Sequence, residues 1–216
     1  MTGPLAGPAV RAGEPPSHGA EPPSGWVLRW AHLAPPGASV LDVACGLGRH
    51  ARWFAARGHA VTAIDRSAPA LAGLAALPGG SAVRTVEADI EGDPWPLQGP
   101  DGVQRFGVVV VTRYLWRPLW PQLLASVAPG GLLIYETFSS SHASIGRPSR
   151  PEFLLRHGEL LQACAALRIV AYEDGFLDAA TCFVQRVAAV QVTESSGPPA
   201  RHRLDPAGGG SAQAPG

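Results

Sequence analysis

Residues 39–65 read SVLDVACGLGRHARWFAARGHAVTAID, and this stretch restricts the fold more than any other in the chain. An apolar run at 39–44 stops at Gly46 and Gly48, a helical pattern follows at 49–57, and a second apolar run at 60–64 closes on Asp65. Two short β-branched runs joined by a helix form a βαβ unit with parallel strands. Parallel strands need cover on both faces, which commits the chain to an α/β architecture.

The alternation continues downstream. Apolar runs at 82–87, 106–112 and 131–138 are separated by helical patterns at 68–76 and 118–128. After Phe138 come a polar segment, SSSHASIGRPSRP, a helix around 152–166, and two strand-like runs, LRIVAYED and CFVQRVAAVQV. Only GFLDAAT joins the last two runs, too short a link for a crossover helix, so the final strand must return antiparallel beside its predecessor. The expected fold is a Rossmann-like, seven-stranded, mainly parallel sheet with a reversed last strand and helices on both faces. It should occupy residues 25–193. The flanks, 1–24 and 194–216, have Leu5, Val10 and Leu204 as their only branched aliphatics, and such Gly-, Pro- and Ser-rich stretches bury too little to offset ordering entropy. Both are expected to be disordered tails.

The opening stretch also has a chemistry. Small residues after a strand let a ligand approach the backbone, and the free N–H groups of the following helix face it. Asp65 stands 19 positions after Gly46, where a carboxylate can accept the hydroxyl protons of a ribose. The alternative is that the glycines merely make a tight turn and Asp65 supports the next helix, with Ser67 as its N-cap. A dinucleotide loop usually carries a third glycine, and here that place is Ala51. Asp42, inside the first strand, would repel a diphosphate, and Asp89 in EADIEGDPW can accept from an adenine amino group. Three carboxylates at successive strand ends suit a cationic adenosine. S-adenosylmethionine is one, with a sulfonium, an ammonium and no phosphate.

VLDVACGLGRHARWFAARGHAVTAIDRS, then VEADI and PGGLLIYETF, resemble the class I S-adenosylmethionine-dependent methyltransferases over residues 26–192. Within that group the sequence is most similar to small bacterial methyltransferases of the tellurite-resistance type. The resemblance implies S-adenosyl-L-methionine as cofactor, held by the loop from Asp42 through Ala44, Cys45, Gly46 and Gly48. It further implies Asp65 and Arg66 at the ribose, Ala88, Asp89 and Ile90 around the adenine, and Thr112 and Arg113 beside the methionine part. Cys45 reads as a packed small residue rather than a nucleophile, and Gly107 stands where many relatives have Asp.

Methyl transfer is an in-line displacement at an already activated carbon, so alignment of the partners and exclusion of water suffice, and no acid or base is obligatory. The catalytic residues are left unassigned, with Glu136, Arg113 and His142 as candidates and His50 as a further possible base. Glu136 stands out as a carboxylate in the apolar run LLIYETF. The acceptor is expected to be a small molecule lodged above TRYLWRPLW and SSSHASIGRPSRP. Arg113, Arg117, Arg147 and Arg150 either form a rim for an anionic acceptor or pair with acids such as Glu136 and Glu152. Tyr114, Trp116 and Trp120 serve equally as pocket wall or core, and GWVLRWAHL is expected to fold as a helix over the cofactor's mouth.

Several classes are disfavoured. Net charge is zero, and the loop after the fourth strand reads Thr112, Arg113, Tyr114, Leu115 instead of an Asn or Asp followed by two prolines and an aromatic, so no nucleic-acid partner is expected. All 17 basic residues are arginine, and without lysine the usual short-chain dehydrogenase chemistry is excluded, leaving a nicotinamide-nucleotide protein as a weak alternative. A non-catalytic protein binding the cofactor or a partner stays open. No apolar run approaches the ~20 residues that span a bilayer, and there is no leader pattern. With three scattered cysteines, neither disulfides nor a metal site is expected, and the reading is cytoplasmic.

Overall fold

The computed structural model describes residues 21–99, 102–193 and 200–205. Among these, one seven-stranded sheet is built from β1 (Val40–Val43), β2 (Val61–Asp65), β3 (Val83–Glu87), β4 (Phe106–Thr112), β5 (Val127–Phe138), β6 (Arg168–Leu177) and β7 (Cys182–Val190). The spatial order is β3-β2-β1-β4-β5-β7-β6. Strands β1 to β5 pair parallel, while β7 runs antiparallel to both of its neighbours, β5 and β6. The reversed last strand expected from the short GFLDAAT link is present.

Side-chain alternation along the strands divides the interior into two cores. Leu41, Val43, Val109, Val111, Leu133 and Tyr135 face α4 (Trp120–Ala125) and α5 (Glu159–Ala163). Val40, Val108, Val110, Leu132 and Ile134 face α1 (Gly25–Trp30), α2 (Arg49–Ala55) and α3 (Ala68–Ala76). Four consecutive valines, Val108 to Val111, are wholly buried because β4 has a helical layer on each side. Each such side chain contributes roughly 1.5 to 3 kcal/mol.

The elements differ from the sequence expectations in four places. The helix expected over 118–128 is shortened to Trp120–Ala125 because the chain re-enters the sheet at Val127, which pairs with Phe106. The one expected over 152–166 breaks into a turn at Pro151–Phe153 and α5 at Glu159–Ala163, since Leu155 bridges to Ser139 and Gly158 takes a left-handed φ of 69°. Strand β6 runs on to Leu177, so the hairpin link is confined to Asp178–Thr181. Helix α1 does not cover a cleft mouth. Trp26 and Trp30 are buried against the sheet, and Trp26 Nε1 donates to the Val187 carbonyl at 3.1 Å.

Residues 21–24, grouped with the first tail on composition, are tied to the domain. Ser24 Oγ accepts from Trp26 N–H at 3.1 Å, capping α1, and donates to Glu136 Oε1 at 2.8 Å. Beyond the domain's far end, the Arg203 carbonyl lies 2.9 Å from His32 Nε2. The rest of the two expected tails, 1–20, 194–199 and 206–216, lies outside the described residues.

Candidate functional site

The chain leaves β1 toward β2 and leaves β4 toward β5, so a crevice opens where these two neighbouring strands send their loops apart, the usual place for a ligand in an open α/β sheet. Both loops start on a strained residue. Ala44, directly after β1, has φ 52°, and Arg113, directly after β4, has φ 54°. A left-handed non-glycine costs about 1 to 3 kcal/mol and persists only where neighbours hold it. Here the backbone does so: Cys45 N–H donates to the Ile64 carbonyl at 2.9 Å, and Arg113 N–H to the Glu136 carbonyl at 2.9 Å.

The glycines are needed for different reasons. Gly46 takes a φ of 55° within the turn. Gly48, at φ 66°, is the N-cap of α2, and a Cβ there would sit 2.0 Å from Leu74 Cδ1. Asp65 closes the loop from the side, its Oδ2 accepting from Gly46 N–H at 2.8 Å and its Oδ1 from Ser67 N–H at 2.9 Å. Each carboxylate oxygen keeps a second lone pair, so the side chain can still accept from ribose hydroxyls.

Asp42 departs from the expectation that it meets the ligand. Its position in β1 alternates toward the α2 face, where it is buried and its Oδ2 accepts Ala51 N–H at 3.0 Å. Burial pushes its carboxyl up to about 7, against the opposing effects of the Ala51 hydrogen bond and the Arg49 charge. It anchors the first turn of α2 from below and is absent from the walls of the crevice.

Three cavities line the crevice. The first, about 210 Å³, is bounded by the loop from Ala44 to His50, with Thr112, Arg113 and Glu21. The second, about 140 Å³, runs from Ala44 past Asp65 and Arg66 to Ala88, Asp89, Ile90, Glu91 and Tyr114. The third, about 220 Å³, has Leu115, Phe138, Pro148 and Phe153 as apolar walls, with Thr137, Glu91, Arg113 and Tyr114. They share walls: Ala44 joins the first and second, Tyr114 and Glu91 the second and third, and Arg113 the first and third. Apart from Asp42, every residue that the resemblance assigns to the cofactor lines the first or second cavity. Glu21, Leu47, Arg49, His50, Glu91 and Tyr114 line these two cavities as well.

Of the candidate bases, His50 alone lines a cavity. His50 is buried; burial first, then the charges of Arg49 and Arg113, push its imidazole down to about 3. Its Nε2 accepts Ser24 N–H at 3.1 Å. His142 stacks on Phe138 with ring centroids 4.4 Å apart, and its two nitrogens meet Phe183 N–H and the Arg147 carbonyl. Glu136 is taken up by Ser24 and by Arg186, 3.2 Å away. Neither His142 nor Glu136 lines any of the three cavities. Cys45 faces the first cavity, and burial together with Asp42 and Asp65 pushes its thiol upward, away from the thiolate form.

The four arginines divide, with Arg147 left exposed on its loop. Arg113 faces two cavities. Arg150 pairs with Glu152 at 3.0 Å. Arg117 holds Glu159 through Nε at 2.6 Å and Nη2 at 2.9 Å and also donates to the Glu152 and Leu154 carbonyls. Burial alone would raise Glu159, but the bonds from Arg117 and from Arg156 N–H outweigh it and hold the carboxyl below its usual range. Arg117 thereby fastens the loop that carries Pro148 and Phe153. The same loop is closed at its neck, where Ser140 N–H donates to the Leu155 carbonyl at 2.8 Å and Leu155 N–H to the Phe138 carbonyl at 2.9 Å. Of the aromatics, Tyr114 lines cavities, whereas Trp120 stacks on Tyr135 at 5.0 Å and belongs to the packing.

Residues 40–131 match the family model described as a methyltransferase domain. TehB from Haemophilus influenzae has the same fold, with a TM-score of 0.63 at 18% identity over 78% of this chain and 62% of that one. The chain thus spans less than two thirds of that relative. N-methyltransferase NodS from Bradyrhizobium japonicum superposes with a TM-score of 0.59 at 15% identity, over 77% of this chain and 94% of NodS. The glycopeptide N-methyltransferase MtfA, solved with S-adenosyl-L-methionine, gives a TM-score of 0.51 at 19% identity, over 73% of this chain and 88% of MtfA. No curated protein sequence matches the chain. The fold is thus one shared with solved S-adenosylmethionine-dependent methyltransferases, among them a TehB-like protein from Corynebacterium glutamicum, and residues 40–131 match the methyltransferase-domain model.

Proposed function

We propose that the protein transfers a methyl group from S-adenosylmethionine to a small molecule held in the third cavity. The observation that carries this reading is the sharing of walls. A ligand extending through the first and second cavities passes Ala44, and the third cavity opens beside the same point, between Arg113 and Tyr114. The donor set fits the cofactor. Asp65 and Asp89 offer acceptors to an adenosine in the second cavity, and Arg49 and Arg113 offer cations to a carboxylate in the first. When bound, S-adenosylmethionine supplies a methyl group activated by its sulfonium. The chain's part is to hold both partners and shed water between them, and such positioning can be worth ~7 to 11 kcal/mol.

The third cavity favours a compact acceptor with an apolar, flat body, which Phe138, Phe153, Pro148 and Leu115 can enclose. Arg113 provides an anchor for an anionic group on that molecule. Glu91, at the join of the second and third cavities, is the carboxylate placed to take a proton from a nucleophile that must lose one. It replaces Glu136 and His142 as the candidate base. With zero net charge and no basic face required by the site, nucleic acid is not part of this reading. Among the described residues no helix is long and apolar enough to cross a membrane, and all three cysteines are free, which fits a reducing cytoplasm.

The test is to incubate the protein with methyl-labelled S-adenosylmethionine and a metabolite extract, following S-adenosylhomocysteine release and the labelled product. Turnover lost in Phe153→Ala with S-adenosylhomocysteine affinity unchanged would support the third cavity as the acceptor site. Cofactor binding without any turnover would favour the non-catalytic reading, and preference for NADH would defeat the cofactor assignment.

A further inference from the structure

The segment 21–24 brings a charged group to the first cavity and holds it there. Ser24 is the fixing point: it caps α1, donates through Oγ to Glu136 Oε1 at 2.8 Å, and donates its backbone N–H to His50 Nε2 at 3.1 Å. Glu136 is held in turn by Arg186, and His50 is neutral, with its Nε2 lone pair free for Ser24. Three residues upstream, Glu21 Oε2 lies 2.9 Å from Arg49 Nη1 and 3.5 Å from Arg113 Nη1. The Glu21–Arg49 pair is partly shielded, with side chains 33% and 16% exposed, so its charges matter more than those of a surface pair.

Charge counting defines the missing partner. Two guanidiniums share one carboxylate, and after burial the nearby Arg113 charge is what most disfavours a charged Arg49. A second carboxylate between them would relieve that repulsion. Yet Glu21 lines the cavity without closing it, because about 210 Å³ stays open beside it. A ligand that answers Arg49, Arg113 and Glu21 together bears a carboxylate and an ammonium on the same carbon.

We infer that Glu21 is a cofactor-binding residue, receiving the α-ammonium of the amino-acid end of S-adenosylmethionine while Arg49 and Arg113 receive its carboxylate. The inference rests on the cofactor assignment above and extends the site to a residue upstream of the first helix. Ser24, Glu136 and His50 then act as positioning residues that hold Glu21 over the cleft.

Calorimetry on the full chain with three probes tests it: S-adenosylhomocysteine, 5′-methylthioadenosine, which lacks the amino-acid end, and the S-adenosylhomocysteine analogue with hydrogen in place of the α-amino group. Glu21→Gln is expected to weaken S-adenosylhomocysteine by roughly 10-fold or more, the size of a charge-assisted hydrogen bond. Methylthioadenosine should stay within about twofold, the deaminated analogue should not be weakened, and Glu21→Asp should recover part of the loss. Tighter binding of S-adenosylhomocysteine to Glu21→Gln would overturn the inference by making Glu21 a competitor for the arginines. Equal weakening of S-adenosylhomocysteine and its deaminated analogue would also overturn it, leaving Glu21 to order the strap alone, as would no change in either. Failure of the unaltered protein to bind any of the three would instead remove the cofactor assignment itself.

Discussion

The carboxylate of Asp65 accepts a hydrogen bond from the backbone N–H of Gly46 at 2.8 Å, joining the end of β2 to the turn after β1. Its other oxygen is engaged by Ser67 N–H at 2.9 Å, at the start of α3. One side chain therefore sets the shape of the glycine turn as well as presenting lone pairs to a ribose.

Asp65→Ala should consequently lose both affinity and stability. Two backbone donors are released, an expected loss of about 1 to 3 kcal/mol in chemical denaturation. S-adenosylhomocysteine binding should fall by roughly 10 to 150-fold. A variant as stable as the unaltered protein would show that the turn holds without the carboxylate.

Two truncations separate the strap from the sequence before it. Removing residues 1–20 should leave melting temperature and S-adenosylhomocysteine affinity unchanged, since composition gives that stretch little to bury. Removing 1–24 also takes away Glu21 and the Ser24 cap. An N-cap is worth about 1 kcal/mol, or roughly 2 to 4 °C in a domain of this size, and affinity should drop with it. Identical behaviour of the two proteins in differential scanning calorimetry would refute the strap's role.

Asp42 gives the stability a pH dependence. Its folded carboxyl is raised to about 7 from 3.8, so the folded state holds the proton more tightly than the unfolded state. Stability from this group is complete below the unfolded value and is lost as pH rises through the window up to the folded one. Asp42→Asn keeps an acceptor for Ala51 N–H and removes the titration. The unaltered protein should lose roughly 2 to 3 kcal/mol relative to Asp42→Asn between pH 5 and pH 8. Parallel stability curves would mean that Asp42 ionises without cost.

Arg117→Ala should destabilise by about 1 to 3 kcal/mol at neutral pH, because it removes both of its bonds to Glu159, leaving that carboxylate to Arg156, and takes a donor from the Glu152 and Leu154 carbonyls. Glu159 has a depressed folded value, so its contribution is present above the usual carboxylate range and disappears as pH falls through the folded one. The gap between the two proteins should therefore narrow in acid. A pH-independent gap would assign the loss to packing of the arginine stem.

The sheet and the cofactor end were legible because they depend on local pattern. β-branched runs, two glycines and Asp65 have meaning from their spacing, the family resemblance implies the rest of the cofactor set, and all of that set but Asp42 line the first two cavities. Asp42 misled because its strand position shows that it is buried only once the face toward α2 is known. Glu21 and Ser24 were hidden by company: they sit among prolines and glycines, and their partners lie 28 and 112 positions away. Glu136 was conspicuous for the right reason, a carboxylate in an apolar run, but the partner it needed was Arg186 with Ser24, not a substrate. The third cavity was legible in part: Arg113, Tyr114, Leu115 and Pro148 come from the two segments over which the acceptor was expected, whereas Glu91, Thr137, Phe138 and Phe153 carried no such signal.

The loop after β5 leaves the sheet at Ser139 and returns at Leu155, where the two strands of chain meet in a parallel bridge. Its neck is closed, so it hangs on the domain like a bezel on a ring: what is set inside can change while the mount keeps its shape. Pro148 and Phe153 lie within it, whereas the glycine turn, Asp65 and the adenine wall lie outside. Exchanging this bezel between related chains should transfer the choice of acceptor and leave the grip on the methyl donor as it was.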